Sequence, residues 1–407
     1  MDIQRSLEKS VESGAVHGVI AAAATDKGVL FEGAAGGLKL DSVIWIASMT
    51  KAITGAAAMQ LVEQGKLSLD APAVEVVPEI AKKQVLVSVD ADGTVKTRPP
   101  KRPITLRHLL THTSGMGYDT WDGEMFKYVQ AKGPFKPATM EALSTPLLFD
   151  PGEQWRYSIS IDWVGFMVEA ASGMKLDRYM KEKIFAPLGM ADTGFKITPA
   201  MRPRKAAVHV RKEGGGFTAT DHELNQDPEV FQGGGALYST VGDYLKFVRA
   251  LLGGGAPILK PETVALMYRN AMNDGVLCRP LKSYIPARSA DMNFVDGMKW
   301  GLTFMINPDP FPGRRAAGSL SWGGLATYAA DTQRADSLRT AYGSAQQSAD
   351  DPTDAQDPAV DENEECRGDA QQHAARQRRP GREVRPVDCH EQLPCKGDQV
   401  SSSVLEN

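Results

Sequence analysis

The stretch from Ser48 to Gln64 constrains this chain more than any other. It is rich in Ala, Met, Leu, Ile and Val, and Gly65 follows it. Such a run reads as a buried helix with a glycine stop. Its first turn holds Ser48-Met49-Thr50-Lys51. Positions i and i+3 lie on one helix face, so Ser48 and Lys51 point the same way. A serine hydroxyl is a weak nucleophile, and a lysine beside it can take its proton. Backbone N–H groups at a helix start also favour a developing negative charge. Taken alone, a serine and a lysine at this spacing specify nothing, so the rest of the chain has to decide.

The chain has 407 residues and a net charge of −4. That length allows one large domain or two to three ordinary ones. Near-balanced charge, with no basic run interleaved with aromatics before residue 326, argues against nucleic acid as a partner. The first residues are polar and lack an apolar leader. No window approaches the ~18 apolar residues of a membrane span. A cytoplasmic protein that does not engage membranes is the expectation. The four cysteines fit no zinc spacing, and three of them lie beyond residue 360; no disulfide is expected.

Periodicity and punctuation predict a helix over 2–13, strands over 19–24 and 29–32, and a hairpin over 85–96. Further helices are expected over 104–110 (with Thr105 as N-cap), 161–172, 176–184, 241–252 and 261–268. Lys299 to Ile306 reads as one strand. Residues 318–325 are the last with the character of a folded core. Beyond them there are eight Leu or Val and no Ile, Met, Phe or Trp. Such a segment cannot offset its ordering entropy by burial, so disorder is expected from 326 to 407. The break inside an expected strand reads as a shifted reading frame or a mis-spliced gene near Ala326.

Three stretches can carry acyl-transfer chemistry: Ser48-Met49-Thr50-Lys51, Tyr157-Ser158-Ile159-Ser160-Ile161-Asp162, and Ser321-Trp322-Gly323-Gly324. With them come Leu109-Leu110-Thr111-His112-Thr113-Ser114-Gly115, the Pro187–Phe195 stretch, the Gly233-Gly234-Gly235 triplet and Ser239-Thr240-Val241-Gly242-Asp243. In this order the set resembles the serine beta-lactamase and penicillin-binding-protein superfamily, and within it the family VIII carboxylesterases.

The resemblance implies an α/β (α+β) beta-lactamase-like fold, with an antiparallel sheet flanked by helices and a mostly helical lobe. The sheet lobe would comprise 1–75 and 226–325, and the helical lobe 76–225. The resemblance also implies that Ser48 is the acylated nucleophile, that Lys51 takes its proton and that Tyr157 is the general base opposite. The backbone N–H groups of Ser48 and Leu325 would form the oxyanion hole. Trp322, Gly323, Gly324 and Tyr118 would contact substrate. No cofactor and no metal are implied, and the partner is a small-molecule ester.

Relatives that act on beta-lactams or peptides carry a lysine and a hydroxyl residue where this chain has Trp322 and Gly323. An indole offers apolar surface and one N–H donor, which favours neutral esters. The expected function is hydrolysis of short-chain carboxylic esters through an acyl-enzyme, with acyl transfer to alcohols. The alternatives are a beta-lactamase or D-alanyl-D-alanine carboxypeptidase, and a non-catalytic or truncated member that only binds. The chain has no G-x-S-x-G elbow. His112 is expected to be structural, Asp162 to form structural hydrogen bonds, and Trp121 and Trp155 to pack. Oligomeric state is not legible in the sequence.

Overall fold

The alanines of Gly18–Ala24 decide how the sheet is layered. A computed structural model describes residues 2–347, except 213–214, 287–288, 295–296, 312–314, 325–327, 333–338 and 344–345. The first helix, α1 (Ile3–Glu12), is N-capped by the Asp2 carboxylate, which accepts from the Arg5 N–H. Strand β1 (Gly18–Ala24) is buried along its whole length, and β2 (Val29–Gly36) pairs with it antiparallel. Small side chains on β1 let a helix approach the sheet closely. That helix is α5, introduced below.

The long apolar run becomes a 3-10 turn, Ala47–Met49, followed by α2 (Thr50–Glu63). Every residue of α2 from Thr50 to Leu61 is buried, as expected of a helix without a polar face. Short helix α3 (Leu106–Leu110) starts at Thr105, whose hydroxyl accepts from the His108 N–H, while His108 Nδ1 accepts from the Thr105 N–H. Helix α4 (Ser160–Ser172) packs across α2. Helix α5 (Val241–Leu252), N-capped by Thr240, lies against β1.

Residues 299–306, expected as one strand, form a tight antiparallel pair: β3 (Lys299–Trp300) and β4 (Met305–Asn307). The chain reverses at Gly301–Phe304, where the Gly301 N–H bonds the Phe304 carbonyl and Thr303 has φ 80°. A β-carbon on Gly301 would lie 2.3 Å from the Met267 carbonyl, so glycine is required there. Strand β5 (Ser319–Gly324) follows.

Part of the stretch expected to stay disordered pairs into the sheet as β6 (Tyr328–Thr332) and β7 (Arg339–Gly343). The order is β2-β1-β7-β6-β5-β4-β3, antiparallel throughout. Ladder bonds come from backbone groups. A slot between β1 and β5 can therefore be filled through backbone pairing alone. The sheet joins both ends of the described chain.

These residues belong to one compact unit, Met1–Gln356. Its main core is continuous from Ile20 through Ile53 and Met59 to Leu143, Tyr179 and Phe185, so the sheet and the helices share it. A second cluster gathers Trp155, Tyr157, Trp300, Met305 and Trp322. Among the described residues no helix is long and apolar enough to cross a membrane.

Candidate active site

Ser48 sits mid-turn, half-buried, with a strained neighbour. Ala47 before it has φ 43°, a region a residue with a β-carbon enters only when its surroundings hold it there. They do so from both sides. The Ile46 N–H bonds the Leu237 carbonyl at 3.0 Å. Thr50 Oγ1 accepts from the Leu237 N–H at 3.1 Å, and the Tyr244 hydroxyl donates to the Met49 carbonyl at 3.1 Å. The turn's first internal bond runs from the Met49 N–H to the Ile46 carbonyl. That leaves the Ser48 N–H ahead of the ladder, at the electropositive end of the helix. Leu325, its expected partner in an oxyanion hole, lies outside the described residues.

Lys51 is 1% exposed. Its Nζ lies 3.1 Å from Ser48 Oγ, 3.2 Å from the Tyr118 hydroxyl and 2.6 Å from the Gly234 carbonyl. It also lies 4.7 Å from the centre of the Tyr157 ring. Three acceptors match the three N–H bonds of an ammonium. A neutral amine keeps two of them. With those given to Gly234 and Tyr118, its lone pair points at Ser48 Oγ.

Two tyrosines lie against Lys51. The Tyr157 hydroxyl accepts the Trp322 indole N–H at 3.1 Å, while the Tyr118 hydroxyl takes the bond from Lys51. Burial, and then the nearby Tyr157, hold Tyr118 well above the ordinary phenol value. Tyr118, Trp121, Tyr157 and Trp322 form one aromatic wall, with ring centroids 4.7 to 5.8 Å apart. Trp155 is 1% exposed and packs behind it. Met272, Cys278, Leu281 and Met298 complete this cluster. They come from a loop-rich segment whose pattern offered no signal.

The Tyr118 and Tyr157 segments are stitched together by buried hydroxyls. His112 Nδ1 lies 3.1 Å from Ser158 Oγ, and Ser158–Ser160 and Ser160–Ser114 are each 2.7 Å apart. The Arg156 N–H bonds the His112 carbonyl. Burial, and then Lys51, press His112 well below its usual value, so it is neutral. Gly115 turns the chain at φ 94°, where a β-carbon would meet the Phe149 carbonyl.

Trp322 is buried on β5 rather than presented as an open surface, and Gly323 and Gly324 follow it, half-exposed and paired with β6. The strand runs beside the Ser48 turn. Ser48, Met49, Ala52, Phe247, Phe304 and Trp322 line a small apolar cavity between them. The Gly234 carbonyl, in the glycine triplet, is the shortest of the Lys51 contacts.

A family model described as Beta-lactamase matches residues 3–358, past the compositional break. A lovastatin esterase from Penicillium rubens is 32% identical over 346 residues, which is 78% of this chain and 86% of that protein. A monacolin J acid methylbutanoyltransferase from Aspergillus terreus is 33% identical over 305 residues, 70% of this chain and 73% of that protein. Among solved structures, a mutant simvastatin synthase from Aspergillus terreus superposes with a TM-score of 0.75 and 28% identity, covering 86% of this chain and 90% of that one. With its sheet drawn from both ends of the described residues and a serine and lysine on one buried helix start, the chain belongs to the Beta-lactamase family.

Proposed function

We propose that this protein is a serine esterase that hydrolyses short-chain carboxylic esters through an acyl-enzyme on Ser48 and also passes the acyl group to alcohols. One observation carries the reading: Lys51 Nζ lies 3.1 Å from Ser48 Oγ while Gly234 and Tyr118 take its other two N–H bonds. In acylation, Ser48 Oγ attacks the ester carbonyl and its proton passes to Lys51. The Ser48 N–H faces the developing oxyanion. As the intermediate collapses, the alcohol leaves with a proton delivered from Lys51 through Tyr118 or Tyr157. Water or a second alcohol then takes the acyl group by the reverse path.

The substrate class follows from the walls. The cavity beside Ser48 is apolar and small, about 10 Å³, which limits any acyl group it takes to a very short one. The indole of Trp322 supplies no cation for a substrate carboxylate. Relatives named as an esterase and as acyltransferases support both outcomes of the acyl-enzyme.

The test is a p-nitrophenyl ester series run beside nitrocefin, with the full chain and with Ser48→Ala. Ester turnover that disappears in the variant supports the reading. Nitrocefin turnover far above ester turnover would replace it with a beta-lactamase, and silence in both assays would leave a binding protein.

A further inference from the structure

The charge on Asp162 has no role in the reaction as outlined above, yet its position ties it to Lys51. Asp162 lies in the first turn of α4 and is 3% exposed. Its Oδ1 accepts the Gly234 N–H at 2.9 Å. The carbonyl of the same residue accepts an N–H of the Lys51 side chain at 2.6 Å. A single residue therefore links a buried carboxylate to a buried amine. The fit is tight: a β-carbon on Gly234 would lie 2.9 and 3.0 Å from the two carboxylate oxygens. Next to it, the Gly233 carbonyl accepts the Thr54 hydroxyl at 2.7 Å, which fixes the glycine turn from the α2 side.

We infer that Asp162 is a positioning residue for the Ser48 chemistry: it holds the Gly234 carbonyl where it orients Lys51, and its carboxylate is the counter-charge for the ammonium formed when Lys51 takes the serine proton. The inference rests on the acyl-enzyme reading. Burial raises the Asp162 carboxyl to about 6, against the pull of Lys51 and of the Gly234 N–H. The group is thus ionised at and above neutral pH, where the field of a nearby carboxylate on a buried amine is strong. The titratable groups around the pair are Tyr118 and His112 from the segment after α3, Tyr157 from the loop before α4, and Lys51 on α2. His112 is neutral and Tyr118 is protonated, for the reasons given above. Asp162 is therefore the anion that balances Lys51 in this buried pair.

Two variants separate the halves of the claim. Asp162→Asn keeps an oxygen for the Gly234 N–H and removes the charge. Gly234→Ala keeps the charge and pushes the peptide off the carboxylate. The readout is the rate at which a p-nitrophenyl phosphonate labels Ser48, followed by mass and by p-nitrophenol release from pH 5 to 9, with KM for p-nitrophenyl acetate alongside. For Asp162→Asn, we expect labelling about 10–100-fold slower at neutral pH with KM little changed. Its acid limb should move to lower pH by at least about half a unit, because losing the anion disfavours the ammonium. For Gly234→Ala, we expect about a tenfold loss with the limb in place, because orientation has changed and charge has not.

Both folded variants labelling at the wild-type rate with the wild-type limb would overturn the role of Asp162 while leaving Ser48 as nucleophile. If Asp162→Asn does not fold, an unimpaired Gly234→Ala still overturns the orienting half. Failure of the wild-type protein to label at Ser48 is a separate result, and it removes the acyl-enzyme reading itself.

Discussion

Trp322 donates its indole N–H to the Tyr157 hydroxyl at 3.1 Å, with the two ring centres 4.7 Å apart. The bond crosses from β5 to the loop before α4 and orients the phenol whose ring lies over Lys51. Removing the donor while keeping a ring should leave the wall standing and the phenol less well aimed. Trp322→Phe is therefore expected to lower kcat for p-nitrophenyl acetate by about 3–10-fold, the worth of one net hydrogen bond. KM and the melting temperature should stay close to the parent's. A variant with unchanged kcat would show that the indole N–H has no part in the reaction.

Tyr118 bonds Lys51 directly, whereas Tyr157 meets it through the ring face. Tyr118→Phe removes one of the three acceptors that orient the amine. The expected effect is a loss of about 10–100-fold in kcat/KM, carried mainly by kcat. Steady-state kinetics of Tyr118→Phe and Tyr157→Phe side by side make the check. Full activity in the first and none in the second would leave Tyr157 as the sole phenolic partner of Lys51.

Gly55, inside α2, faces Thr303 so closely that a β-carbon would lie 2.5 Å from its Cγ2. Alanine normally favours a helix by about 1 kcal/mol over glycine. Here Gly55→Ala should instead destabilise by about 1–3 kcal/mol through overpacking. Thr303 is β-branched, buried and held at φ 80°, and its hydroxyl finds no partner. Thr303→Gly should relieve that backbone and absorb the new methyl group. Urea melts of the two single variants and the double variant should give a favourable coupling above about 1 kcal/mol. Additivity within error would mean that the two sites do not touch.

Lys83 is 4% exposed and donates to the Leu143 and Thr145 carbonyls at 2.6 and 2.5 Å, with the Trp163 ring 5.1 Å away. Burial pushes its ammonium down to about 7 from an unfolded value of 10.5. Below pH 7 the folded and unfolded forms both carry the proton, so the burial cost is constant. Between about 7 and 10.5 the unfolded chain binds more protons, and stability rises with pH. Unfolding free energies of the parent minus Lys83→Met should therefore grow from pH 7 to 9.5, by at most about 1.4 kcal/mol per pH unit. A flat difference would show that the two carbonyls and the indole face keep the ammonium charged throughout.

Much of the fold was legible because local periodicity survives in the tertiary structure. The buried run from Ser48 became a turn and a helix nearly where its apolar residues begin and end, and Thr105 caps α3 as expected. The reversal between β3 and β4 was not legible, because its cause is Met267, far away in sequence. Strands β6 and β7 were hidden for a related reason. Their places are set by the ladders that β1 and β5 offer, and a ladder leaves no mark in side-chain composition.

The amino-acid sequence determined which groups are available: a serine and a lysine one turn apart, two tyrosines, an indole before a glycine pair, and three glycines in a row. Those are chemical identities, and order along the chain is enough to read them. Which acceptor each Lys51 N–H meets is a matter of ångströms. Only the tertiary structure gave Lys51 to Tyr118, Trp322 to Tyr157 and Asp162 to the Gly234 peptide. Hydrogen bonds weaken steeply with distance and angle, and the segments that carry these groups lie between 67 and 183 residues apart. Their partners are chosen by how α2, α4 and β5 pack.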